Sequence, residues 1–318
     1  MAAFRSEPGQ DHCINETRAT NPIPARSMAG MCNAWIPSRR KFTKDVSLKD
    51  LIDRLALAGH REKEIFRTLD RFGPVVVREY SGLRVLSFDS LFEQSAMRLD
   101  DPFTLVHDYT RVMLLVLLFK EPKHVTMLGL GGGSLLRVMH KHCTTTVFQV
   151  VELRESVIRI AIEHFFVPCD DRIAMHTRNG IDYVSEVQAH PPDILFADMY
   201  HAYSMDEFQS TTRFLEQSWQ LLSEDGWLVI NFHQLPEFDH PYMRKMCALF
   251  ADVVCCGTNS GNYVVMCGKQ SLAKPLPAYR SILVELEQRF DVCLRNSFAR
   301  LFKLSTPGAN TVRANSSG

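Results

Sequence analysis

Three consecutive glycines, Gly131 to Gly133, lie in the stretch GLGGGSLLR at residues 129–137, between an apolar run and a helical pattern. Glycine tolerates positive φ and lets a ligand approach the main chain, and a helix that begins there offers unpaired N–H groups. Glu152 ends the next apolar run, where an acid grips ribose hydroxyls in nucleotide-binding folds. The spacing predicts a nucleotide site; a tight turn without a ligand and a plain surface acid are the alternatives.

A second group of chemically active residue types, His140, His142 and Cys143, has the composition of a metal cluster. Residues i and i+2 do not share a face of a helix, so packing or solvation is the better interpretation and we expect no metal site. The chain has nine cysteines and no Cys-x-x-Cys pair, which favours reduced thiols in a cytoplasmic protein. His233 ends a predicted strand and is a candidate for lining a pocket, with a structural role as the alternative.

Charge and hydropathy limit the partners. Lys plus Arg equals Asp plus Glu at 36 each, which disfavours nucleic acid as a partner. The most apolar run, Val112–Phe119, is too short to span a bilayer, and the first residues lack the apolar core of a secretory signal. We therefore expect a soluble, cytoplasmic protein that binds neither nucleic acid nor a membrane.

Strands and helices alternate after residue 123, which favours a mostly parallel sheet covered on both faces. Apolar runs predict strands at 124–130, 145–152, 172–177, 193–198, 226–232, 253–257 and 262–268. Helical patterns lie at 133–142, 155–166, 180–187, 206–222 and 241–250. Only a Gly-Thr-Asn-Ser-Gly turn separates the last two strands, so they must pair antiparallel. This ending is typical of the AdoMet-methyltransferase variant of the doubly wound Rossmann fold and argues against a nicotinamide-dependent enzyme.

The flanking segments predict three further units. Residues 1–45 read as a disordered N-terminal arm. Residues 46–122 form a small unit: a helix from the capping box at Ser47, a hairpin of 74–80 and 83–88, and a lead-in helix capped by Asp101. The Rossmann-like domain follows at 123–270, and 271–318 form a C-terminal helix, patterned over 276–303, with a flexible tail.

Residues 83–268 resemble the spermidine synthase (polyamine aminopropyltransferase) family. PKHVTMLGLGGGSLLRVMHKH is similar to that family's first strand, glycine loop and helix, and VVELRESVIRIAIEHF to its next strand and helix. RNGIDYV and DILFADMYHA stand where the family has GDGREFL and DVIIVDSTDP. The resemblance implies transfer of an aminopropyl group from decarboxylated AdoMet to an amine, with no tightly bound cofactor, in a homodimer formed through the small N-terminal unit.

Roles follow from the resemblance position by position. Asp198 matches the amine-binding aspartate that takes the proton, and Glu152 the ribose-binding acid. Asn179 stands at the family's adenine-binding Asp, and Gln94 and His107 match positions near the donor. The backbone cradle for the donor would be formed by Gly129, Gly131, Gly132 and Gly133.

Three positions depart from the family pattern. Gly132 replaces the Asp of the glycine loop, His201 the second Asp after the fourth strand, and Val106 the Tyr of Tyr-His-Glu. These changes remove two carboxylates and a hydroxyl that would grip a polycation. His201 could act as a base, or it could be a solvated loop histidine. An AdoMet-dependent methyltransferase and a non-catalytic nucleoside-binding or assembly protein are therefore alternative functions, and the amine acceptor stays unnamed.

Overall fold

The structure is a computed structural model that describes residues 62–88, 93–200 and 205–304. It contains a small antiparallel sheet and a larger mixed sheet covered by helices. The predicted arm at 1–45 and the helix predicted after Ser47 lie outside the described residues, as does His201. Among the described residues, no helix is both long enough and apolar enough to cross a membrane.

The small sheet has four antiparallel strands in sequential order. They are β1 (Lys63–Asp70), β2 (Gly73–Tyr80), β3 (Leu83–Ser87) and β4 (Glu93–Arg98). The predicted hairpin is β2–β3, joined through Ser81-Gly82, both at positive φ. Strands β1 and β4 were not predicted, because their polar residues hide the alternation. One face of this sheet packs Val75, Val77, Leu86 and Met97 against the helix that contains Val157, Ile160 and Phe165.

The large sheet has the strand order β12-β10-β11-β9-β8-β5-β6-β7. Its strands are β5 (His124–Leu128), β6 (Val147–Glu152), β7 (Ile173–Thr177), β8 (Ile194–Ala197), β9 (Trp227–Phe232), β10 (Asp252–Gly257), β11 (Tyr263–Gly268) and β12 (Phe302–Lys303). Strands β5 to β9 pair in parallel, whereas β11 is antiparallel to both β9 and β10. The predicted fold class is confirmed, including the terminal hairpin.

Helices cover both faces of this sheet and bury two apolar cores. They are α1 (Asp108–Met113), α2 (Ser134–His142), α3 (Glu155–Phe165), α4 (Gly180–Val184), α5 (Thr212–Leu221), α6 (Pro241–Leu249), α7 (Arg280–Phe290) and α8 (Arg295–Ala299). Short 3-10 turns lie at Leu114–Leu118, Glu207–Ser210 and Leu276–Tyr279.

The helix predicted over 206–222 is shorter in the structure. Only Thr212–Leu221 is α-helical, because Thr211 takes an extended backbone after the 3-10 turn Glu207–Ser210.

Two further helix predictions are wrong in extent. The lead-in helix begins at Asp108, not at Asp101, because the Asp101 carboxylate accepts from Phe103 N (3.2 Å) and Thr104 Oγ1 (2.6 Å) and closes a turn there. The tail is not one helix over 276–303, because Asp291 takes positive φ and separates α7 from α8, after which β12 pairs with β10.

Candidate active site

The carboxyl ends of β8, β5, β6 and β7 form one edge of the sheet, where backbone hydrogen bonds continue beyond the strands. Asp198 N donates to Leu128 O (2.9 Å), and Gly129 N donates to Val151 O (2.9 Å). The strand order reverses direction between β5 and β8, so the glycine loop and Asp198 meet at the switch point. Ligands of open α/β sheets bind at this place.

Each glycine of the loop faces another part of the protein at very short range. Gly129, Gly131 and Gly133 have φ of +92°, +54° and +64°. An added Cβ would come within 3.0 Å of the Asp198 carbonyl oxygen at Gly129, of Ser95 Oγ at Gly131 and of Val167 Cγ2 at Gly133. The close approach that requires glycine is therefore satisfied by protein atoms, and the donor cradle predicted from these residues stays a prediction.

Gly132 occupies the position where an aspartate was expected. Its N–H donates to Ser95 Oγ (2.8 Å), and a Cβ here would meet Ser95 Cβ at 2.9 Å and the Phe165 ring at 3.0 Å. Strand β4 and helix α3 thus fill the space that an acidic side chain would need. An acidic side chain at this position would have to displace Ser95 or the Phe165 ring.

Arg137 fixes the glycine loop through hydrogen bonds to backbone carbonyl oxygens. Its Nη1 donates to the carbonyl oxygens of Gly132 (3.1 Å) and Phe165 (2.7 Å), and its Nε donates to Pro102 O (2.8 Å). Burial lowers the pKa of Arg137 to about 10, so the side chain remains a cation near neutral pH. One guanidinium therefore ties the glycine loop to the end of α3.

Glu152 lies directly against the glycine loop, as predicted from its spacing. Its Oε2 accepts from Leu130 N (3.0 Å) and its Oε1 accepts from Arg154 N (3.0 Å). Burial raises the pKa of this carboxyl, while the backbone N–H groups that donate to it oppose the rise. The Arg154 guanidinium also bonds Asp70 and the Gly73 carbonyl oxygen, which fixes the β1–β2 hairpin beside the loop.

A cavity of about 530 Å³ opens between the tip of that hairpin and the carboxyl ends of β6 and β7. Its size is in the range of small-ligand sites. Asn179 caps α4 by accepting from Ile181 N (2.9 Å), and its carbonyl oxygen keeps a second lone pair for another donor. The cavity is lined by Arg71, Phe72, Leu153, Thr177, Arg178, Asn179 and Asp182.

Asp198 is partly exposed, and among the residues that the structure describes one neutral donor reaches each of its carboxylate oxygens. Oδ1 accepts from Asn231 Nδ2 (2.8 Å), and Oδ2 accepts from the Tyr109 hydroxyl (3.1 Å). Burial raises the pKa of Asp198, and these two hydrogen bonds oppose the rise. Each oxygen has a further lone pair, so the carboxylate can still bind an ammonium ion and take a proton.

Aromatic side chains surround Asp198. The rings of Tyr200 and His233 lie 4.4 Å apart, and the Tyr200 hydroxyl donates to Asn231 O (2.9 Å). That His233 lines a pocket stays a prediction. His107 stacks on Tyr109 at 5.7 Å, and burial lowers its pKa to about 4, so its imidazole is neutral at pH 7. Within the described part of the chain, His107 Nε2 is buried without a hydrogen-bond partner.

Two predictions remain to be located: Gln94, predicted near the donor, and the histidines considered as a metal cluster. Gln94 immediately precedes Ser95 on β4, the strand that covers the glycine loop. His140 and His142 point to different neighbours, to Asp170 (2.7 Å) and to the Phe290 ring (5.0 Å). No group of residues suited to a metal ion occurs within 62–88, 93–200 and 205–304.

Sequence reasoning missed Tyr109 and Asn231. Ala197 of β8 pairs with Ile230 of β9, so Asp198 and Asn231 are the next residues side by side. An asparagine inside the apolar run WLVINF was the available signal for Asn231. Tyr109 gave none, because the family's tyrosine in this segment matches position 106, which is Val106 here.

The spermine/spermidine synthase domain model matches residues 107–265, which is half of the chain. A polyamine aminopropyltransferase of Chromobacterium violaceum is 30% identical over 221 residues, covering 68% of this chain and 84% of the relative. The chain belongs to the spermine/spermidine synthase family. The resemblance seen in the sequence is thereby confirmed.

Two further similarities give context to this family member. The fold is similar to a probable spermidine synthase from Corynebacterium glutamicum, with a TM-score of 0.60 at 15% identity, covering 78% of this chain and 90% of that one. A mouse protein named eEF1A lysine and N-terminal methyltransferase is 26% identical over 124 residues, which is 36% of this chain and 18% of the relative.

Proposed function

We propose that this chain transfers the aminopropyl group of decarboxylated AdoMet to an amine, with Asp198 as the amine-binding base. The observation that carries the proposal is the Asp198 carboxylate at the switch point of the sheet, beside the glycine loop and held by two neutral donors. A carboxylate there can bind an ammonium group and accept the proton that must leave before the nitrogen can attack.

The reaction balances without a further reactant. The nitrogen lone pair attacks the propyl carbon bound to sulfur, the new N–C bond forms, and the C–S bond breaks. Its electron pair goes to the sulfonium, which leaves as the neutral thioether methylthioadenosine, and the amine proton passes to Asp198. Because the sulfonium is already activated, alignment of the two reactants supplies much of the remaining acceleration.

We place the adenosine part of the donor in the cavity on the other side of the glycine loop. Glu152 would accept from the ribose hydroxyls, and Asn179 would accept from the adenine amino group with its second lone pair. Phe72 lines this cavity and is 44% exposed, and Arg154 fixes the hairpin that contains it. An exposed aromatic ring on a rigid turn is suited to stacking on a purine.

Phe72→Ala is expected to weaken methylthioadenosine binding about 5- to 150-fold, because base–aromatic stacking contributes roughly 1–3 kcal/mol. Calorimetric titration of both proteins would measure this. Leu69→Ala is the matched control, since Leu69 is exposed on the same hairpin but does not line the cavity. If Phe72→Ala and the unmodified protein bind methylthioadenosine with equal affinity, the adenine does not stack on Phe72 and its proposed placement is wrong.

Methyl transfer from AdoMet is the second candidate, and Gly132 favours it. The loop has neither an acid at this position nor room for one, so it does not discriminate against the carboxylate of AdoMet. The similarity to the mouse methyltransferase is compatible with this alternative. Asp198 is equally available to deprotonate an amine acceptor in either reaction.

The deciding experiment titrates the protein in parallel with decarboxylated AdoMet, AdoMet, methylthioadenosine and NAD, and then incubates each donor with a panel of mono-, di- and polyamines. Tighter binding of decarboxylated AdoMet, with methylthioadenosine as coproduct, supports aminopropyl transfer. Tighter binding of AdoMet, with S-adenosylhomocysteine as coproduct, moves the chain to methyl transfer. Binding of no nucleoside overturns both activities and leaves an interaction protein.

A further inference from the structure

Tyr109 is a partly buried tyrosine in the first turn of α1 whose hydroxyl points at the reactive edge of the large sheet. Helix α1 packs against β9 and β11, and the Tyr109 hydroxyl reaches Asp198 Oδ2 at 3.1 Å. Val106, one turn earlier, packs instead against the small sheet with Leu83, Val85 and Ala96. The hydroxyl beside Asp198 therefore comes from position 109 and not from position 106.

The tyrosine acts only as a donor in this contact. Burial and the charge of Asp198 raise the pKa of Tyr109 well above its ordinary value, so the phenol keeps its proton throughout the physiological range. A hydrogen bond donated to a carboxylate stabilises the ionised form. Tyr109 thus opposes the effect of burial on Asp198.

The second oxygen of Asp198 is fixed by a short amide chain. Asn262 Nδ2 donates to Asn231 Oδ1 (3.0 Å), and Asn231 Nδ2 donates to Asp198 Oδ1 (2.8 Å). Since Asn231 Oδ1 is engaged by a donor, its NH₂ group must face Asp198. With one oxygen held from β9 and the other from α1, the carboxylate has a single orientation toward the switch point.

We infer that Tyr109 is a positioning residue that keeps Asp198 ionised and aimed, and so sets the pH below which amine activation fails. This inference rests on the proposed role of Asp198 as the amine-binding base. In the described part of the chain, the titratable groups that face Asp198 are Tyr109 from α1, Tyr200 from its own segment and His233 after β9. Burial raises the pKa of Tyr200 and lowers that of His233, so both are uncharged at neutral pH.

The first test measures ionisation directly and needs no activity. Carboxyl-¹³C-aspartate labelling gives the Asp198 titration by NMR, assigned through the resonance that Asp198→Asn removes. Tyr109→Phe is expected to raise the pKa of Asp198 by about one unit, since one unit corresponds to the loss of a single charge-assisted hydrogen bond. Tyr279→Phe, a buried tyrosine on the C-terminal segment, should leave it unchanged.

The second test follows kcat/KM against pH. A carboxylate with a higher pKa is protonated at higher pH, so the acid limb of Tyr109→Phe should move upward by the same interval, with a roughly tenfold loss on that limb. Site-specific 3-fluorotyrosine at position 109 keeps the fold and the hydroxyl but makes the donor more acidic. It should move the acid limb and the Asp198 pKa downward.

The two tests separate the inference from the proposed function. If the Asp198 pKa in the NMR titration is the same in Tyr109→Phe, 3-fluorotyrosine and unmodified proteins, the inference is wrong even in an active transferase. If it moves as expected but no donor supports transfer, the proposed function fails and the control of Asp198 ionisation by Tyr109 stands.

Discussion

Asp198→Asn is expected to lower kcat for group transfer by about 10²- to 10⁴-fold while leaving nucleoside affinity unchanged. The amide has the shape of the carboxylate and can still accept from Asn231, and the Tyr109 hydroxyl can rotate to accept from the new NH₂ group. The fold is therefore retained. What is lost is the negative charge that binds the ammonium group and the basic oxygen that takes its proton.

The measurement is kcat with saturating donor, together with the dissociation constant of methylthioadenosine. Asp225→Asn is the control, because Asp225 lies at the opposite end of the sheet in an exposed ion pair with Lys120, and such pairs contribute little to stability. If Asp198→Asn keeps the wild-type kcat, a group other than Asp198 accepts the proton of the attacking amine. A parallel loss of nucleoside affinity would indicate a distorted switch point instead of a missing base.

The large sheet could be predicted from sequence because its signals are local. Strands β5 to β11 are apolar runs bounded by turns, and every end of these strands lies within two residues of its predicted limit. The antiparallel ending followed from the short turn between β10 and β11, since a parallel pair needs a longer crossover. Strands β1 and β4 were not predicted, because their partly exposed polar residues resemble loop sequence.

The start of α1 was mispredicted for a physical reason. An aspartate that accepts from the N–H two residues later caps a helix or closes an isolated turn with the same local chemistry. Asp101 closes an isolated turn in the structure. The helix does not form there because Leu105 forms an antiparallel bridge with Met97 of β4, which directs the chain away from a helical path. That choice depends on a tertiary contact that a local pattern does not contain.

Some residues of the candidate site could be predicted from local sequence patterns, and others depend on tertiary packing. Asp198, Glu152 and Asn179 follow predicted parallel strands, so their common edge could be derived before the structure was known. Tyr109 and Asn231 reach Asp198 through helix packing and strand register, which are properties of the whole fold. For Asn231, a polar residue inside an otherwise apolar strand is the signal to look for.

Gly129→Ala is expected to destabilise the protein more than an alanine at Gly82, a positive-φ glycine with open space around it. A left-handed backbone costs an L residue about 1–2 kcal/mol. At Gly129 the new Cβ would also press on the Asp198 carbonyl oxygen, with an overpacking cost of roughly 1–3 kcal/mol more. Asp198 cannot retreat freely, because its own N–H is bonded to Leu128 O (2.9 Å).

Gly82→Ala isolates the backbone cost, since Gly82 has φ of +78° and nothing lies within 4 Å of an added Cβ. Urea unfolding of both variants at equal m-value gives the difference in the free energy of unfolding. Gly129→Ala should also lower kcat beyond its loss of folded protein, because the clash displaces the backbone of the proposed base. If the two variants are equally stable, the Asp198 carbonyl does not require the glycine, and close approach of a ligand becomes the remaining reason for it.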